Sequence, residues 1–208
     1  MRKPLCLVAC SILAAALGFA PVVQAANGKP VTQFKSTGYS GWLYFGGESY
    51  SGEVGVWSGC WDEGLGFGVY LYYDVFDSNG NVIAIGDGCI ATSALTGEVK
   101  IPGGGSLVLD IDTSDRNMVG PSFWQDGPGG LIHIEWTATD DWWSQFNGTS
   151  VSHSRCLKYH MLGLWRTISS WATGSVLGID LSSAWWLSPE LRTTKSVEVM
   201  MVAPSCQQ

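Results

Sequence analysis

The sequence predicts an all-β protein: a single-domain antiparallel β-sandwich of about ten short strands, with a β-barrel as the alternative. Three observations favour this class. Apolar and polar side chains alternate with a period of two from Tyr39 onward, glycine-rich turns separate the alternating runs, and no sustained helical stripe is present. A weak helix candidate spans 185–192, because Ser188-Pro189-Glu190 is typical of a helix start.

The predicted strands follow one another along the chain with short spacers. They cover residues 39–45, 53–57, 67–76, 82–85, 97–101, 107–112, 131–138, 156–168, 174–180 and 196–202. In 67–76 the odd-numbered residues share one apolar face, while Tyr70, Tyr72 and Asp74 share the other. The Asn79-Gly80 pair predicts a hairpin turn after this strand. Residues 114–130, the longest segment without strand character, are predicted to be a loop.

The first 25 residues resemble a secretory signal peptide. Arg2 and Lys3 precede an apolar run, and small residues at Val23 and Ala25 predict cleavage after Ala25, which leaves 26–208 as the β-domain. A membrane anchor needs about 20 apolar residues, more than this run supplies. A lipoprotein signal ending at Cys10 is disfavoured because few apolar residues precede it. We therefore expect a secreted or periplasmic protein.

The cysteines of the predicted mature chain are even in number. Cys60, Cys89, Cys156 and Cys206 predict two disulfides, for which three connectivities are open. We favour pairing of sequence neighbours, Cys60 with Cys89 and Cys156 with Cys206. Zinc is the competing interpretation, but no C-x-x-C spacing supports it.

The composition excludes several functional classes. Hydrophobic residues make up 46% of the chain and charged residues 14%, which argues against intrinsic disorder. Removal of Arg2 and Lys3 reduces the basic residues from 11 to 9 against 18 acidic ones, so the net charge falls from −7 to −9. Without a basic run, this chain is not expected to bind nucleic acid.

Catalytic motifs are absent from the sequence. It contains no G-x-S-x-G elbow, no H-E-x-x-H helix and no phosphate-binding loop, and the spaced glycines of 64–68 lead into a strand instead of a helix. His133 and Glu135 share a strand face, where an ordinary polar outer surface explains them. We favour a non-catalytic protein and leave open an enzyme without a linear motif.

No cofactor is predicted, with calcium as the one candidate metal. Asp110, Asp112 and Asp115 lie on one strand and its following turn, and carboxylate oxygens suit a hard cation. The acidic turn at 77–81 is better explained as a hairpin, since it lacks the glutamate of a calcium loop. His133, His153 and His160 are conceivable metal ligands only if the fold gathers them.

The eleven tryptophans fall into three groups. Those inside strand patterns are predicted to pack in the core: Trp42, Trp57, Trp136, Trp165 and Trp171. Two doublets, Trp142-Trp143 and Trp185-Trp186, lie in loop-like segments, and adjacent residues of an extended chain cannot both point inward. We therefore expect at least one exposed tryptophan in each doublet. Trp61 and Trp124 are undecided.

Exposed flat aromatic rings stack on sugars, so the two doublets, with Asp140 and Asp141, predict a site for a polysaccharide or glycan. Membrane engagement through the same tryptophans is an alternative, restricted by the acidic charge to neutral or sterol-rich membranes. A structural envelope protein whose aromatic residues are all core is a third possibility. The oligomeric state stays open.

One resemblance adds to the expectation of export. The runs Ile132–Thr139, Arg155-Cys156 and Trp171–Val176 resemble the C-terminal half of small exported bacterial β-proteins. The likeness covers about a third of the chain. It implies the fold class and the exported location, and it carries no activity.

Overall fold

The computed structural model describes residues 22–26, 29–99, 104–153 and 157–202, with side chains for 38–99, 104–139 and 166–194. Twelve strands occur in these ranges: β1 Val22–Ala26, β2 Lys29–Gly46, β3 Tyr50–Asp62, β4 Gly66–Asp77, β5 Val82–Ile90, β6 Leu95–Val99, β7 Gly105–Asp112, β8 Trp124–Asp126, β9 Leu131–His153, β10 Leu157–Val176, β11 Ile179–Asp180 and β12 Trp186–Val202. Two short 3₁₀ helices, Thr92–Ala94 and Leu181–Ser183, are the helical elements of the described ranges.

The predicted all-β antiparallel class is confirmed. Hydrogen-bonded neighbours follow the order β6-β7-β9-β10-β12-β2-β3-β4-β5-β8, with β1 paired to β2 and β11 paired to β10. The order is open, with β6 and β8 at its ends. The choice between a sandwich and a barrel stays a prediction.

The helix predicted at 185–192 is wrong, because this segment begins β12. Its side chains alternate as in a strand: Leu191 and Thr193 are buried, while Arg192 between them is exposed. The two-residue burial pattern therefore outweighs the local helix-start signal of Ser188-Pro189-Glu190.

The chain separates into two compact units by contact density. One comprises residues 38–144 and 166–193, and the other comprises 1–37, 145–165 and 194–208. The side chains discussed below belong to the first unit.

Strands β3, β4 and β5 form an antiparallel meander whose turns follow from their residues. In the turn between β4 and β5, the Asp77 carboxylate accepts hydrogen bonds from the backbone N–H groups of Asn79 and Asn81, and from the Asn81 amide. Gly80 adopts φ = +80°, a conformation that favours glycine. The predicted hairpin at 77–81 is confirmed.

The core is built from the alternate residues that the strand patterns predicted. Val69, Leu71, Tyr73 and Val75 of β4 are buried. On β9, Ile132, Ile134 and Trp136 are fully buried, while His133 is half-buried and Glu135 exposed. Each of these strands thus covers the core with one face, as period-two alternation requires. The largest fully buried side chains are Trp136, Tyr73, Phe45, Leu43 and Leu71.

The predicted Cys60–Cys89 disulfide is confirmed. It joins the end of β3 to β5 across 29 residues, beside a bulge in the β3–β4 register between Ser58 and Cys60. On the loop-entropy argument, a closure of this length stabilises the fold by about 3–4 kcal/mol. Cys156 and Cys206, the other predicted pair, lie outside the described residues.

Asp62 connects the β3–β4 turn to the predicted loop at 114–130. Its side chain is buried, and its carboxylate accepts hydrogen bonds from the backbone of Gly64, Leu65 and Ser122 and from the Ser122 hydroxyl. These bonds, led by the Ser122 hydroxyl, lower the pKa of Asp62 to about 2. The predicted loop is thereby anchored, and it also contains the short strand β8.

Most of the predicted signal peptide, residues 1–21, lies outside the described residues, and the predicted cleavage site after Ala25 falls within β1. Within the described ranges, the chain contains no helix of the length and hydropathy needed to span a membrane.

Trp136 and Trp171 were both predicted to pack in the core, and the structure separates them. Trp136 is 0% exposed and Trp171 is 73% exposed, so the prediction for Trp171 is wrong. We expect Trp136→Ala to lower the free energy of unfolding by about 3–5 kcal/mol, because it leaves a cavity. Trp171→Ala should change it by less than about 0.5 kcal/mol. Urea unfolding measures both, and equal losses would contradict the assignment.

The Asp62 interactions predict a pH-dependent stability. Because the pKa of Asp62 is lowered to about 2, its stabilising effect is present above the unfolded-state pKa of about 3.9 and is lost as the pH falls toward 2. Asp62→Asn should therefore lower the melting temperature at neutral pH, by a margin that shrinks in acid. Glu63→Gln, an exposed neighbour, is the matched control. A margin independent of pH would argue against a carboxylate anchor.

Candidate functional site

The face of β2, β3 and β4 opposite the core carries a cluster of aromatic side chains. We name Trp42, Tyr44, Trp57, Tyr70 and Tyr72 the aromatic face. The strand register places Trp57 opposite Tyr70, and Trp42 opposite Gly55, which in turn faces Tyr72. Apart from Tyr44, which is exposed, these side chains are half-buried. The prediction that Trp42 and Trp57 pack in the core is therefore corrected: both alternate with core residues of their strands.

Four rings of the aromatic face, those of Trp42, Tyr44, Trp57 and Tyr70, form successive nearly parallel pairs. The ring centroids of Trp57 and Tyr70 are 4.4 Å apart, those of Trp42 and Trp57 are 5.7 Å apart, and those of Trp42 and Tyr44 are 6.5 Å apart. Interplanar angles are 14–18°. Each such pair contributes about 0.5–1.5 kcal/mol beyond the area it buries. The cluster is thus a preformed surface.

Glycines on neighbouring strands make room for two of the large rings. A Cβ on Gly55 would lie 2.5 Å from Cζ3 of Trp42, and a Cβ on Gly46 would lie 2.5 Å from Nε1 of Trp186. Each indole therefore occupies the space that a side chain would fill. The backbone N–H of Trp185 donates to the Gly46 carbonyl at 2.8 Å, which holds the start of β12 beside the end of β2.

A groove lies beside the aromatic face. Its volume is about 290 Å³, and it is lined by Tyr44, Ser51, Gly52, Glu53, Asp74, Phe76 and Trp186. The register explains this grouping, because Tyr44 pairs with Glu53 and Glu53 with Asp74, while Ser51 pairs with Phe76 in the next row. Three aromatic side chains and two carboxylates thus line one groove.

The two carboxylates share a local hydrogen-bond network. The Asp74 carboxylate accepts the Glu53 backbone N–H at 3.0 Å and the Tyr72 hydroxyl at 2.8 Å, and the Asp74 side chain is only 8% exposed. The Glu53 carboxylate interacts with the hydroxyl of Tyr44 and with that of Tyr72, whose single proton is donated to Asp74. Both acidic groups are therefore positioned by backbone and tyrosine donors instead of basic side chains.

This arrangement shifts the ionisation of the groups around it. Burial, and then the negative charge of Asp74, raise the pKa of Glu53 in spite of the tyrosine hydrogen bonds. The pKa of Tyr72 is also raised, by burial and by the acceptor Asp74. At the other end of the aromatic face, the hydrogen bond to Asp87 raises the pKa of Tyr70 to about 12. Negative charge is thus held in the groove at an energetic cost.

None of the described residues that line this groove is basic. The charges of Arg192 and Glu190 on β12 have opposite electrostatic effects on the pKa of the nearby Tyr44. The two side chains form an ion pair, with Nε of Arg192 2.5 Å from Oε1 of Glu190. The positive charge of Arg192 is therefore already matched by its neighbour on the strand.

The structure brings one predicted site residue into the groove. Trp185 and Trp186 are 72% and 51% exposed, which confirms the predicted exposure of this doublet, and Trp186 lines the groove. The residues 140–143, predicted to be loop-like, continue strand β9. The side chains of Asp140, Asp141, Trp142 and Trp143 lie outside those described. Trp61 and Trp124, undecided from the sequence, are 59% and 56% exposed.

The three aspartates of the predicted calcium site make separate contacts. Asp110 lies 3.7 Å from Nδ1 of His133, Asp112 accepts the N–H and hydroxyl of Ser114, and Asp115 accepts the N–H and amide of Asn117. Within the described residues, no three His, Cys, Asp or Glu side chains form a metal-binding group. His153 and His160 lie outside the described side chains.

Sequence reasoning missed Tyr44, Glu53 and Phe76 as site residues. The shared face of Tyr70, Tyr72 and Asp74 was a usable signal, since it set an acidic group among aromatic ones. The strand register that places Glu53 and Tyr44 beside Asp74 could not be predicted from the sequence.

Comparisons with protein-family models, curated proteins and solved structures find no match to this chain.

The Glu53 carboxylate predicts a second pH effect, of opposite sign to that of Asp62. A raised pKa means that the folded state disfavours ionised Glu53, so stability is lost as the pH rises above the unfolded-state pKa of about 4.3. Glu53→Gln, which keeps an acceptor oxygen, should raise the melting temperature at neutral pH and leave it unchanged in acid. Glu135→Gln on β9 is the control. A Glu53→Gln protein that melts lower at neutral pH would contradict this reasoning.

Proposed function

We propose that this chain is an exported, non-catalytic binding protein that holds a glycan in the groove between Tyr44, Phe76 and Trp186. The observation that carries the proposal is the combination, in one groove, of three aromatic side chains with the carboxylates of Glu53 and Asp74. Export rests on the predicted signal peptide and on the acidic, cysteine-containing composition.

The chemistry of the groove suits a carbohydrate. A sugar ring has an apolar C–H face and a polar rim of hydroxyl groups. The exposed rings of Trp186 and Tyr44 offer flat apolar surface for the first, at 51% and 44% exposure. Carboxylates offer strong acceptors for the second, since hydrogen bonds to a charged group are about twice as strong as neutral ones.

The dimensions of the groove favour a short glycan segment. Small-molecule sites occupy about 300–1,000 Å³, and the groove, at about 290 Å³, is just smaller than the lower limit of that range. We therefore expect it to contact one or two sugar units of a chain that continues beyond the groove. Tyr44, which lines the groove, stacks on Trp42 of the aromatic face, and this packing reduces the ordering cost of binding.

Replacement of Trp186 tests the proposal. Affinity electrophoresis against soluble and insoluble glycans should show retardation of the native protein by at least one of them. Trp186→Ala should weaken that binding by about tenfold or more, as expected for a central aromatic contact. Trp171→Ala, which removes an equally large and more exposed ring on β10, should bind as the native protein does.

Two results would overturn the proposal. One is the absence of retardation by every glycan. The other is a blue shift of tryptophan fluorescence with neutral lipid vesicles and none with sugar, which would indicate membrane engagement. Equal losses in Trp186→Ala and Trp171→Ala would remove the groove as the binding site.

A further inference from the structure

The groove contains two acidic side chains, which is more negative charge than the binding of a neutral sugar requires. Glu53 and Asp74 face each other across the β3–β4 pairing, and none of the seven lining residues is basic. Arg192, whose charge acts on Tyr44, is paired with Glu190. The groups that face the carboxylates are the hydroxyls of Tyr44 and Tyr72. The acidic pair is thus hydrogen-bonded, and the described lining of the groove supplies no cation to neutralise it.

The aromatic side chains of the groove, like the carboxylates, favour a positively charged ligand. The face of an aromatic ring carries partial negative charge, so Trp, Tyr and Phe side chains attract a cation placed above them, with Trp the strongest. Trp186, Tyr44 and Phe76 line the groove together with the acidic pair. Several rings and two carboxylates in one groove form an environment complementary to a positively charged group.

The donor and acceptor inventory narrows the ligand further. An ionised carboxylate only accepts hydrogen bonds, so a ligand group that contacts Glu53 or Asp74 must donate. A sugar hydroxyl donates one bond, whereas an ammonium group donates three and also carries the missing charge. Anionic glycans, which bear carboxylate or sulfate groups, would meet like charges here and be repelled.

Resting on the proposed glycan-binding function, we propose that the groove selects a glycan bearing a free amino group, with the ammonium placed against Glu53 and Asp74 and the sugar ring against Trp186. The energetic cost of holding Glu53 beside Asp74 agrees with this role, since charge that is unfavourable in the free protein becomes favourable once the ligand supplies the opposite charge. The ammonium group of the ligand would also interact favourably with the Asp74 carboxylate, which has little contact with water because Asp74 is buried.

A matched pair of ligands tests the inference. Glucosamine oligomers and N-acetylglucosamine oligomers of equal length share one sugar backbone and differ in charge. At mildly acidic pH, where the amine is protonated, calorimetry should show the glucosamine oligomer binding at least about tenfold more tightly, a preference that weakens with added salt. Glu53→Gln should reduce the preference, and the double change of Glu53→Gln with Asp74→Asn should abolish it.

Two controls make the result interpretable. Glu135→Gln removes an exposed carboxylate from β9, which is separated from β3 by β10, β12 and β2 in the strand order, and should retain the native preference. Circular dichroism checks that each variant is folded. If the double variant does not fold, Glu53→Gln alone decides the matter, because it leaves the hydrogen bonds of Asp74 in place.

The failures of the two proposals are distinguishable. Equal binding of both oligomers, tighter binding of the acetylated one, or an undiminished preference in Glu53→Gln would overturn the charge inference and leave the glycan proposal intact. If neither oligomer nor any glycan of the wider panel binds, the function proposed above is overturned together with it.

Discussion

The packing of an indole ring over a glycine of an adjacent strand is the interaction on which this unit depends. Trp42 occupies the space above Gly55 on the face opposite the core, and Trp186 does the same at Gly46. In the core, a Cβ on Gly41 would lie 3.0 Å from the Trp136 ring, whose Nε1 donates to the Trp42 carbonyl. β2 therefore contacts both the buried indole of Trp136 and the indoles of Trp42 and Trp186. The high glycine and tryptophan contents are therefore related: these indole rings pack directly against the backbone of glycine residues, where a Cβ atom would collide with the ring.

That packing also explains why the groove lies where it does. With Trp186 held over Gly46, its exposed ring borders the row in which Tyr44, Glu53 and Asp74 face each other. Burial and the negative charge of Asp74 make ionised Glu53 unfavourable for stability, whereas the carboxylate of Asp62 is stabilised by four donors. A carboxyl group with a raised pKa in an open groove is typical of a binding or catalytic site, and a well-satisfied carboxylate in a turn is typical of a structural anchor.

Much of the fold was predictable from local patterns. Most strand positions, the 77–81 hairpin and the two faces of β4 follow from short-range signals, because alternation and turn chemistry act within a few residues. The Cys60–Cys89 bridge follows instead from the even number of cysteines and the favoured pairing of sequence neighbours. The sorting of tryptophans was less successful. Trp171 lies in a strand pattern yet is 73% exposed, since alternation identifies residues that share a face and does not say whether another part of the protein covers that face.

The sequence by itself determined the strand-rich class, the acidic character and the exposure of at least one tryptophan of the Trp185-Trp186 doublet, whose adjacent side chains cannot both point inward in an extended chain. Only the tertiary structure decided which side chains come together in the groove. Tyr44, Glu53, Asp74 and Trp186 come from four different strands and converge through strand order and register. Register depends on pairing between distant segments, and a shift of one residue would turn each of these side chains to the opposite face.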